Sequence, residues 1–213
     1  MHALAREMEH FSSTSLCALA VVLVLFSCSA SSSALMTNSS CNDDNAQFVK
    51  NSCGATTYPN LCIKSLSSYS SEINTNYQKL ANAALAVSLK SAKSASTLVL
   101  KLLRRGHLKP NEAAAVKDCV DNIGESIDEV RQSLGELKSF NGNVGDLEFK
   151  MSNVKTWLSA ALTDDDTCME GLDEENVAPK VKNKIRSSIA GVAQLTSNAL
   201  ALVSNLNYTS SVN

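Results

Sequence analysis

The chain has 213 residues, with 19 lysines and arginines, 21 aspartates and glutamates, and a formal net charge of −2 at pH 7. This near balance gives no support for a surface that binds nucleic acid or another polyanion through charge alone. The length is typical of one domain, and a hydrophobic content of 44% is enough to build a core.

The first 30 residues have the pattern of a secretory signal peptide. Arg6 precedes an uninterrupted apolar run of eleven residues, Leu16–Phe26, and Ala30 and Ala34 offer cleavage sites. Eleven apolar residues cannot cross a bilayer core, which takes about 20. We therefore expect residues 1–30 to be removed, and the mature protein to be secreted without a membrane anchor.

Catalytic groups are scarce in the mature sequence. His107 is the one histidine outside the signal peptide, so general acid or base catalysis by histidine would depend on it alone. No Gly-x-Ser-x-Gly pattern is present, which disfavours an extracellular esterase. A ligand-carrying helical bundle remains an alternative, but a protein-binding role without cofactor or metal is expected first.

Removal of the signal peptide leaves five of the seven cysteines. Outside the cell four of them are expected to pair. Cys41, in the polar stretch before the first helix, is then a free thiol or a link between chains. Sequons at Asn38 and Asn207 predict glycosylation near both ends of the mature chain.

The N-terminal part of the mature chain predicts a lead-in and a hairpin. Residues 31–46 are rich in serine, asparagine and aspartate and are expected to form a flexible lead-in. Residues 47–70 predict a helical hairpin, with one helix over Gln47–Cys53 and a second from Pro59 onward. The two cysteines that flank the turn can tie these helices together.

Residues 71–207 predict four long amphipathic helices. The first runs from Ile73 to near Gly106, Asn111 is a candidate cap for the second, and the last begins after Pro179. Short connections favour antiparallel neighbours. The expected fold is therefore all-α, an up-down-up-down four-helix bundle preceded by the hairpin and followed by a short tail, residues 208–213.

Apolar positions in these helices recur at alternating steps of three and four, the pattern of a bundle seam. In chain order the seams are Ile73, Tyr77, Leu80, Ala84 and Val87; Val116, Val120, Ile123, Ile127, Val130, Leu134 and Leu137; Leu147, Met151, Val154, Leu158, Ala161, Asp165, Cys168 and Leu172; and Ile185, Ile189, Val192, Thr196, Ala199, Val203 and Leu206. Asp165 interrupts the third seam and is expected to hydrogen-bond inside the bundle. Cys119 and Cys168 each lie about 60° from the centre of their seams, so a bridge between the second and third helices is geometrically plausible.

Four segments carry a family resemblance. They are Cys53–Cys62 (CGATTYPNLC), Trp157–Thr163 (WLSAALT), Asp166–Cys168 (DTC) and Leu195–Leu202 (LTSNALAL). With them the sequence resembles the plant invertase and pectin methylesterase inhibitor family over roughly residues 47–206. The resemblance implies a four-helix bundle with an N-terminal hairpin, and disulfides that join Cys53 to Cys62 and Cys119 to Cys168.

The resemblance also implies an enzyme inhibitor and not an enzyme. One branch of the family caps the pectin-binding cleft of pectin methylesterase, and another blocks acid invertases (beta-fructofuranosidases) of the cell wall or vacuole. Invertase inhibitors of the family use a Pro-Lys-Phe segment, whereas this chain has Pro179, Lys180 and Val181. We therefore favour a steric inhibitor of pectin methylesterase in the apoplast or cell wall, with an invertase inhibitor as the alternative. Because the chain ends at Asn213, soon after the last helix, it is expected to act as a stand-alone inhibitor.

The helix pair that Cys119 and Cys168 would join is the expected surface for the enzyme. Exposed residues opposite its seams are the candidate contacts, namely Asp118, Glu125, Glu129, Thr156 and Thr163. Asp164–Asp166 is not expected to bind a metal, because successive side chains on a helix diverge. Titration of His107 is a hypothesis for pH-dependent binding. Four cations begin the last helix and are expected to be solvated, although they could attract acidic pectin: Lys180, Lys182, Lys184 and Arg186.

Overall fold

A computed structural model describes residues 33–105, 107–139 and 144–209, so the signal peptide expected at 1–30 lies outside the described residues. The α-helices are α1 Ser33–Cys53, α2 Pro59–Leu66, α3 Ser70–Ile73, α4 Tyr77–Arg105, α5 Pro110–Lys138, α6 Val144–Glu174 and α7 Pro179–Thr209, with a 3-10 turn at Ser67–Tyr69. The described residues from 33 to 209 belong to two units, 33–44 and 45 onward. The second unit holds the hairpin and the bundle, and confirms the expected all-α fold with two disulfides.

The first helix is longer than the sequence suggested. It begins at Ser33, within the stretch expected to be a flexible lead-in, and ends at Cys53. Once a helix has formed, each added residue contributes another hydrogen bond, so polar residues of moderate propensity can extend it. At the end of α1 the Gly54 N–H donates to the carbonyls of Lys50 (3.2 Å) and Asn51 (3.1 Å).

The hairpin is closed by the Cys53–Cys62 disulfide, whose Cα atoms lie 5.5 Å apart. The Thr56 hydroxyl donates to the Cys53 carbonyl at 2.8 Å, and Pro59 occupies the first position of α2. Apolar residues of the hairpin share one core with residues of α4 and α7, namely Val49, Cys53, Cys62 and Leu66 with Leu80, Leu85, Leu202 and Leu206. The hairpin is therefore part of the bundle's core.

A buried amide also fastens the hairpin to the bundle. Asn198 of α7 accepts a hydrogen bond from the Tyr58 N–H at 2.9 Å and donates one to the Tyr58 carbonyl at 3.0 Å. The Asn198 side chain is 3% exposed. The Asn198 side chain therefore pairs with both the N–H and the carbonyl of Tyr58, as a neighbouring strand does in a β-sheet.

Replacing Asn198 with alanine is expected to lower the free energy of unfolding by about 2 kcal/mol, because the Tyr58 N–H loses its acceptor and the Tyr58 carbonyl keeps only the Cys62 N–H as a donor. Urea titration followed by circular dichroism measures the change. Ser197→Ala is the matched control, since Ser197 reaches Thr57 only at 3.3 Å in an exposed position and should cost less than about 0.5 kcal/mol. Equal losses in the two variants would contradict the bracing role of Asn198.

The first bundle helix begins at Tyr77, and not at Ile73 as the seam suggested. Asn74 and Thr75 have φ of 47° and 54°, a left-handed conformation that ends α3 and cannot continue a helix. Asn76 then caps α4, because its Oδ1 accepts a hydrogen bond from the Lys79 N–H at 2.9 Å.

The expected core position of Tyr77 is also wrong, since this side chain is 41% exposed and its ring packs edge-on against Phe48. Tyr77 is the first residue of α4, next to the left-handed break, whereas Ile73, Leu80 and Ala84 of the same predicted seam are buried. Val87 is half-buried. The buried residues of α4 are Leu80, Ala81, Ala84, Leu85, Ser88, Ala92, Ala95 and Val99. The predicted seams of the other three helices are buried, apart from Val120, Leu134 and Leu147, which are half-buried.

Each bundle helix packs against two others, in the order α4, α5, α6, α7 and back to α4. The α5 and α6 helices are antiparallel, because Cys119 bonds to Cys168 while Ser133, further along α5, contacts the earlier Val154 carbonyl at 3.4 Å. By length and composition α7 could cross a membrane, but 44% of its most apolar window is buried in the bundle. We therefore interpret α7 as a core helix.

The start of α5 differs from expectation. Asn111 is not its cap; Lys109 is, with Pro110 as the first helical residue. Glu112 is buried and accepts hydrogen bonds from the Lys109 N–H (2.9 Å) and from the Ala178 N–H (3.0 Å) just before α7. One carboxylate thus neutralises the partial positive charge at the N-termini of two helices. Sequence reasoning missed this role, because a proline occupies the first position of both helices.

Candidate functional site

The residues expected to contact an enzyme all lie on α5 and α6, the most extensively packed pair of helices in the bundle. Asp118, Glu125, Thr156 and Thr163 are exposed. Glu129 differs from them, because it is only partly exposed and its Oε2 atom is buried. We call the exposed side of this helix pair the α5–α6 face. It carries Asp118, Glu125, Phe149, Thr156, Thr163 and Thr167.

A strip of hydroxyl side chains runs along the exposed side of α6. Its members are Ser152, Thr156, Ser159, Thr163 and Thr167, all exposed and spaced by three or four residues. The last four hydroxyls each donate to the carbonyl four residues earlier, at distances of 2.9, 2.8, 3.1 and 2.8 Å. These bonds hold the side chains in fixed rotamers, so little side-chain entropy remains to be lost when a partner binds.

Phe149 adds an exposed aromatic ring at the N-terminal end of this strip. Its side chain is 66% exposed, the highest value among the large hydrophobic residues that the structure describes. Aromatic residues are favoured at interfaces because they bury a large area with few rotatable bonds. Sequence reasoning missed Phe149 and three of the strip's hydroxyls, although the spacing of serine and threonine along α6 was a visible signal.

The Cys119–Cys168 disulfide holds the two helices close together, with a Cα to Cα distance of 4.3 Å. Ser126 and Ser133 of α5 are fully buried and small, which allows α6 to approach closely along the same edge. Covalent and packing constraints therefore act together to fix the backbone under the α5–α6 face.

Carboxyl groups from both helices meet at the border of this face. Glu129 of α5 and Asp164 of α6 each have one buried oxygen without a hydrogen-bond donor among the described residues. Burial, followed by the contact with Asp164, raises the pKa of Glu129 to about 7. A protonated Glu129 can donate to Asp164, whereas two ionised carboxylates would repel each other. Protonation of Glu129 therefore removes this repulsion between the two helices.

Asp165 lies in the seam next to this pair and is fully buried. Desolvation raises its pKa to about 7, against a smaller lowering by the Ser126 hydroxyl and with further raising by Asp164 and Asp166. The Ser126 hydroxyl lowers this pKa without reaching hydrogen-bond geometry, since neither Asp165 oxygen nor Ser126 Oγ has a hydrogen-bond partner among the described residues. The hydrogen bond expected for Asp165 inside the bundle is therefore not formed. A neutral carboxyl group removes the cost of an unpaired buried charge.

The other candidates from the sequence are the run of three aspartates, His107, Cys41 and the two sequons. Asp164, Asp165 and Asp166 are half-buried, buried and exposed in turn, and the described residues contain no group of three or more potential ligands that could hold a metal ion. His107 is exposed in the connection between α4 and α5, with a φ of 47°. The backbones of Asn38 and Cys41 lie in α1 and that of Asn207 in α7, but their side chains fall outside the described part of the structure.

Comparison with known proteins identifies the family. The model of the family described as plant invertase/pectin methylesterase inhibitor matches residues 47–202, most of the chain. The chain belongs to this family. Its members are inhibitors and not enzymes, in keeping with the resemblance of the sequence.

Two relatives of this inhibitor family illustrate the similarity. The chain is 47% identical over 161 residues to "Pectinesterase inhibitor 9" of Arabidopsis thaliana, covering 74% of this chain and 79% of the relative. It is 45% identical over 160 residues to the "21 kDa protein" of Daucus carota, covering 75% and 83%.

Among solved structures, the fold resembles a mutant form A of a pectin methylesterase inhibitor from Arabidopsis, with a TM-score of 0.57 and 20% identity. The match covers 71% of this chain and 92% of that one. It supports the all-helical fold.

Proposed function

We propose that this protein is a secreted inhibitor of pectin methylesterase, which covers the pectin-binding cleft of the enzyme with the α5–α6 face. The observation that carries the proposal is the group of relatives named pectinesterase inhibitors, which are 40% to 47% identical over about three quarters of the chain. Inhibition is steric: the bundle keeps the polymer away from the catalytic carboxylates and performs no chemistry of its own.

The α5–α6 face suits this role physically. A specific interface buries a total of roughly 1,200 to 2,000 Å², which two helices of 29 and 31 residues can supply. The disulfide, the close packing at Ser126 and Ser133, and the fixed hydroxyl rotamers reduce the ordering cost of association. Phe149 provides an aromatic anchor at one end of the α5–α6 face, and Asp118 and Glu125 provide negative charge at the other end.

The expected setting is the apoplast or cell wall. The signal-peptide pattern before residue 31 supports secretion, and oxidising conditions outside the cell favour the two disulfides. We infer glycans at Asn38 and Asn207 and a free thiol at Cys41. An acid invertase is the alternative partner, and Val181 in place of phenylalanine after Pro179-Lys180 speaks against it.

The test adds the purified mature protein at micromolar concentration to a pectin methylesterase and, separately, to an acid invertase. We expect the first enzyme to be inhibited and the second to retain its activity. If the invertase alone slows down, the alternative partner is correct. If neither enzyme responds, the proposed function is wrong although the fold is right.

A paired variant tests the face itself. Thr156→Arg with Thr163→Arg places two long cations on the hydroxyl strip and is expected to weaken enzyme binding at least about 100-fold, the scale of two disrupted central contacts. Thr97→Arg is the control, because Thr97 is an exposed α4 threonine whose hydroxyl donates to the Lys93 carbonyl at 2.9 Å, as in the strip. Calorimetry with enzyme and no pectin should show unchanged affinity for it. Undiminished binding by the double variant would exclude the strip from the interface.

A further inference from the structure

Charge in this protein is segregated by helix. The two helices α4 and α7 contain ten lysines and arginines and no acidic residue. The two helices α5 and α6 contain fifteen aspartates and glutamates and five lysines and arginines. Since α4 packs against α7 and α5 against α6, the balanced total charge conceals a basic side and an acidic side of the same bundle.

The cations of α4 form a line on its outer side. Lys79, Lys90, Lys93, Lys101 and Arg104 are all exposed. In a projection along the axis of α4, at 100° per residue, all five lie within about 40° of the point directly opposite the buried Ser88. With a rise of 1.5 Å per residue, the four from Lys90 to Arg104 extend over about 21 Å. We call this line, with Lys180 and Lys184 of α7, the basic face.

The register between α4 and α7 places Lys180 and Lys184 near the C-terminal end of α4. Ser88 and Thr196 share a hydrogen bond at 2.7 Å inside the bundle. Because the two helices are antiparallel, Lys101, thirteen residues after Ser88, lies at about the level of residue 183 in α7. Lys180 and Lys184 therefore flank the C-terminal part of the α4 line.

Four other cations of the bundle, by comparison, have carboxylate partners. Lys182 and Arg186 pair with Asp173 of α6, Lys117 pairs with Asp121, and Arg131 pairs with Asp128. Within the described residues, by contrast, no member of the basic face has an ion-pair partner. Beside the line lies an open groove of about 400 Å³ between α4 and α5, with Lys90, Lys93, Ser94 and Thr97 along one side and Leu134 opposite.

We propose that the basic face binds a linear acidic polysaccharide, a chain of uronate residues, while the α5–α6 face on the other side of the bundle remains free for the enzyme. A polymer with regularly repeated carboxylates complements a line of unpaired cations that extends over about 21 Å. The flexible lysine side chain can bring its compact charge to such a carboxylate. The choice of a uronate polymer rests on the proposed function, since removal of methyl esters by the target enzyme creates such chains. The inhibitor would then collect where its target has acted.

The test measures binding of the full mature protein to polygalacturonate, and to highly methylesterified pectin, by co-sedimentation and biolayer interferometry at 20 and 150 mM salt. We expect binding to the first polymer, little binding to the second, and weaker binding at the higher salt. The triple variant Lys90→Glu, Lys93→Glu, Lys101→Glu should bind at least about tenfold more weakly. No binding of the wild-type protein to polygalacturonate at 20 mM salt would overturn the proposal.

A charge-matched control distinguishes binding at the basic face from a general effect of the protein's net charge. Lys64→Glu, Lys117→Glu and Lys138→Glu change the total charge equally but lie on α2 and α5 at exposed positions, so their triple variant should bind nearly like the wild type. Equal losses in the two variants, or equally strong and equally affected binding to duplex DNA or to vesicles of anionic lipid, would show a non-specific polyanion effect and overturn the proposal.

Enzyme binding is measured separately, by calorimetry without pectin. The Lys90, Lys93 and Lys101 variant should bind pectin methylesterase like the wild type, which places the two surfaces apart. If that variant loses enzyme affinity as well, the basic face belongs to the enzyme interface and the inference is wrong. If the wild-type protein binds polygalacturonate but not the enzyme, the proposed function fails and the polysaccharide site stands.

Discussion

Replacing Cys119 and Cys168 together with alanine is expected to lower the free energy of unfolding by about 4 kcal/mol. The bridge joins residues 49 apart in sequence, and the entropy that such a crosslink removes from the unfolded chain corresponds to about that value at 25 °C. Denaturant unfolding with matched baselines measures the loss. Because the same bridge fixes α5 against α6, we also expect inhibition to require a higher protein concentration.

The hairpin disulfide provides a control for this prediction. Replacing Cys53 and Cys62 with alanine opens a crosslink between residues only 9 apart, for which the same relation gives about 2.5 kcal/mol. Both pairs of sulfurs are buried, so the side-chain volume lost is the same. If the second pair costs as much as the first, or if loss of the Cys119–Cys168 bridge leaves inhibition unaltered, the role assigned to the clamped helix pair is wrong.

Asp165→Asn is expected to flatten the dependence of stability on pH. The folded protein raises the pKa of Asp165 from 3.8 to about 7, mainly by burial, so between pH 4 and 7 the folded state binds a proton that the unfolded state has released. The resulting stabilisation is complete below about pH 4 and is lost as the pH rises through 7. A shift of this size corresponds to roughly 4 kcal/mol.

The measurement is a series of urea titrations from pH 4.5 to pH 8 on the wild type and the variant. At pH 8 the asparagine variant should be the more stable protein, because it has no buried charge, and near pH 4.5 the two should be similar. Glu170→Gln is the control, since Glu170 is exposed on the same helix and does not contribute to the shift at Asp165, so its replacement should keep the wild-type profile. Glu129→Gln should flatten part of the remaining slope. A wild-type protein whose stability does not fall between pH 5 and 8 would contradict the proton-binding state inferred for Asp165.

Sequence periodicity predicted most of the fold because each seam depends on residues close together in the chain. The seams of α5, α6 and α7, the end of α4 before Gly106 and the bridge from Cys119 to Cys168 follow from spacing or from the family resemblance. Predictions failed where the local pattern was ambiguous. Tyr77 continued an apolar stripe across a left-handed break, and a proline at the first position of α5 displaced the cap expected at Asn111.

The sequence by itself determined that this chain forms four amphipathic helices behind a stapled hairpin, with few groups for catalysis and a family resemblance that implies inhibition. Only the tertiary structure decided that Asn198 meets Tyr58, that Glu129 meets Asp164, and that the cations of α4 lie beside those of α7. The physical reason is that helical periodicity reports which side of a helix is buried. It contains no information on which neighbour, from a distant part of the chain, covers that side.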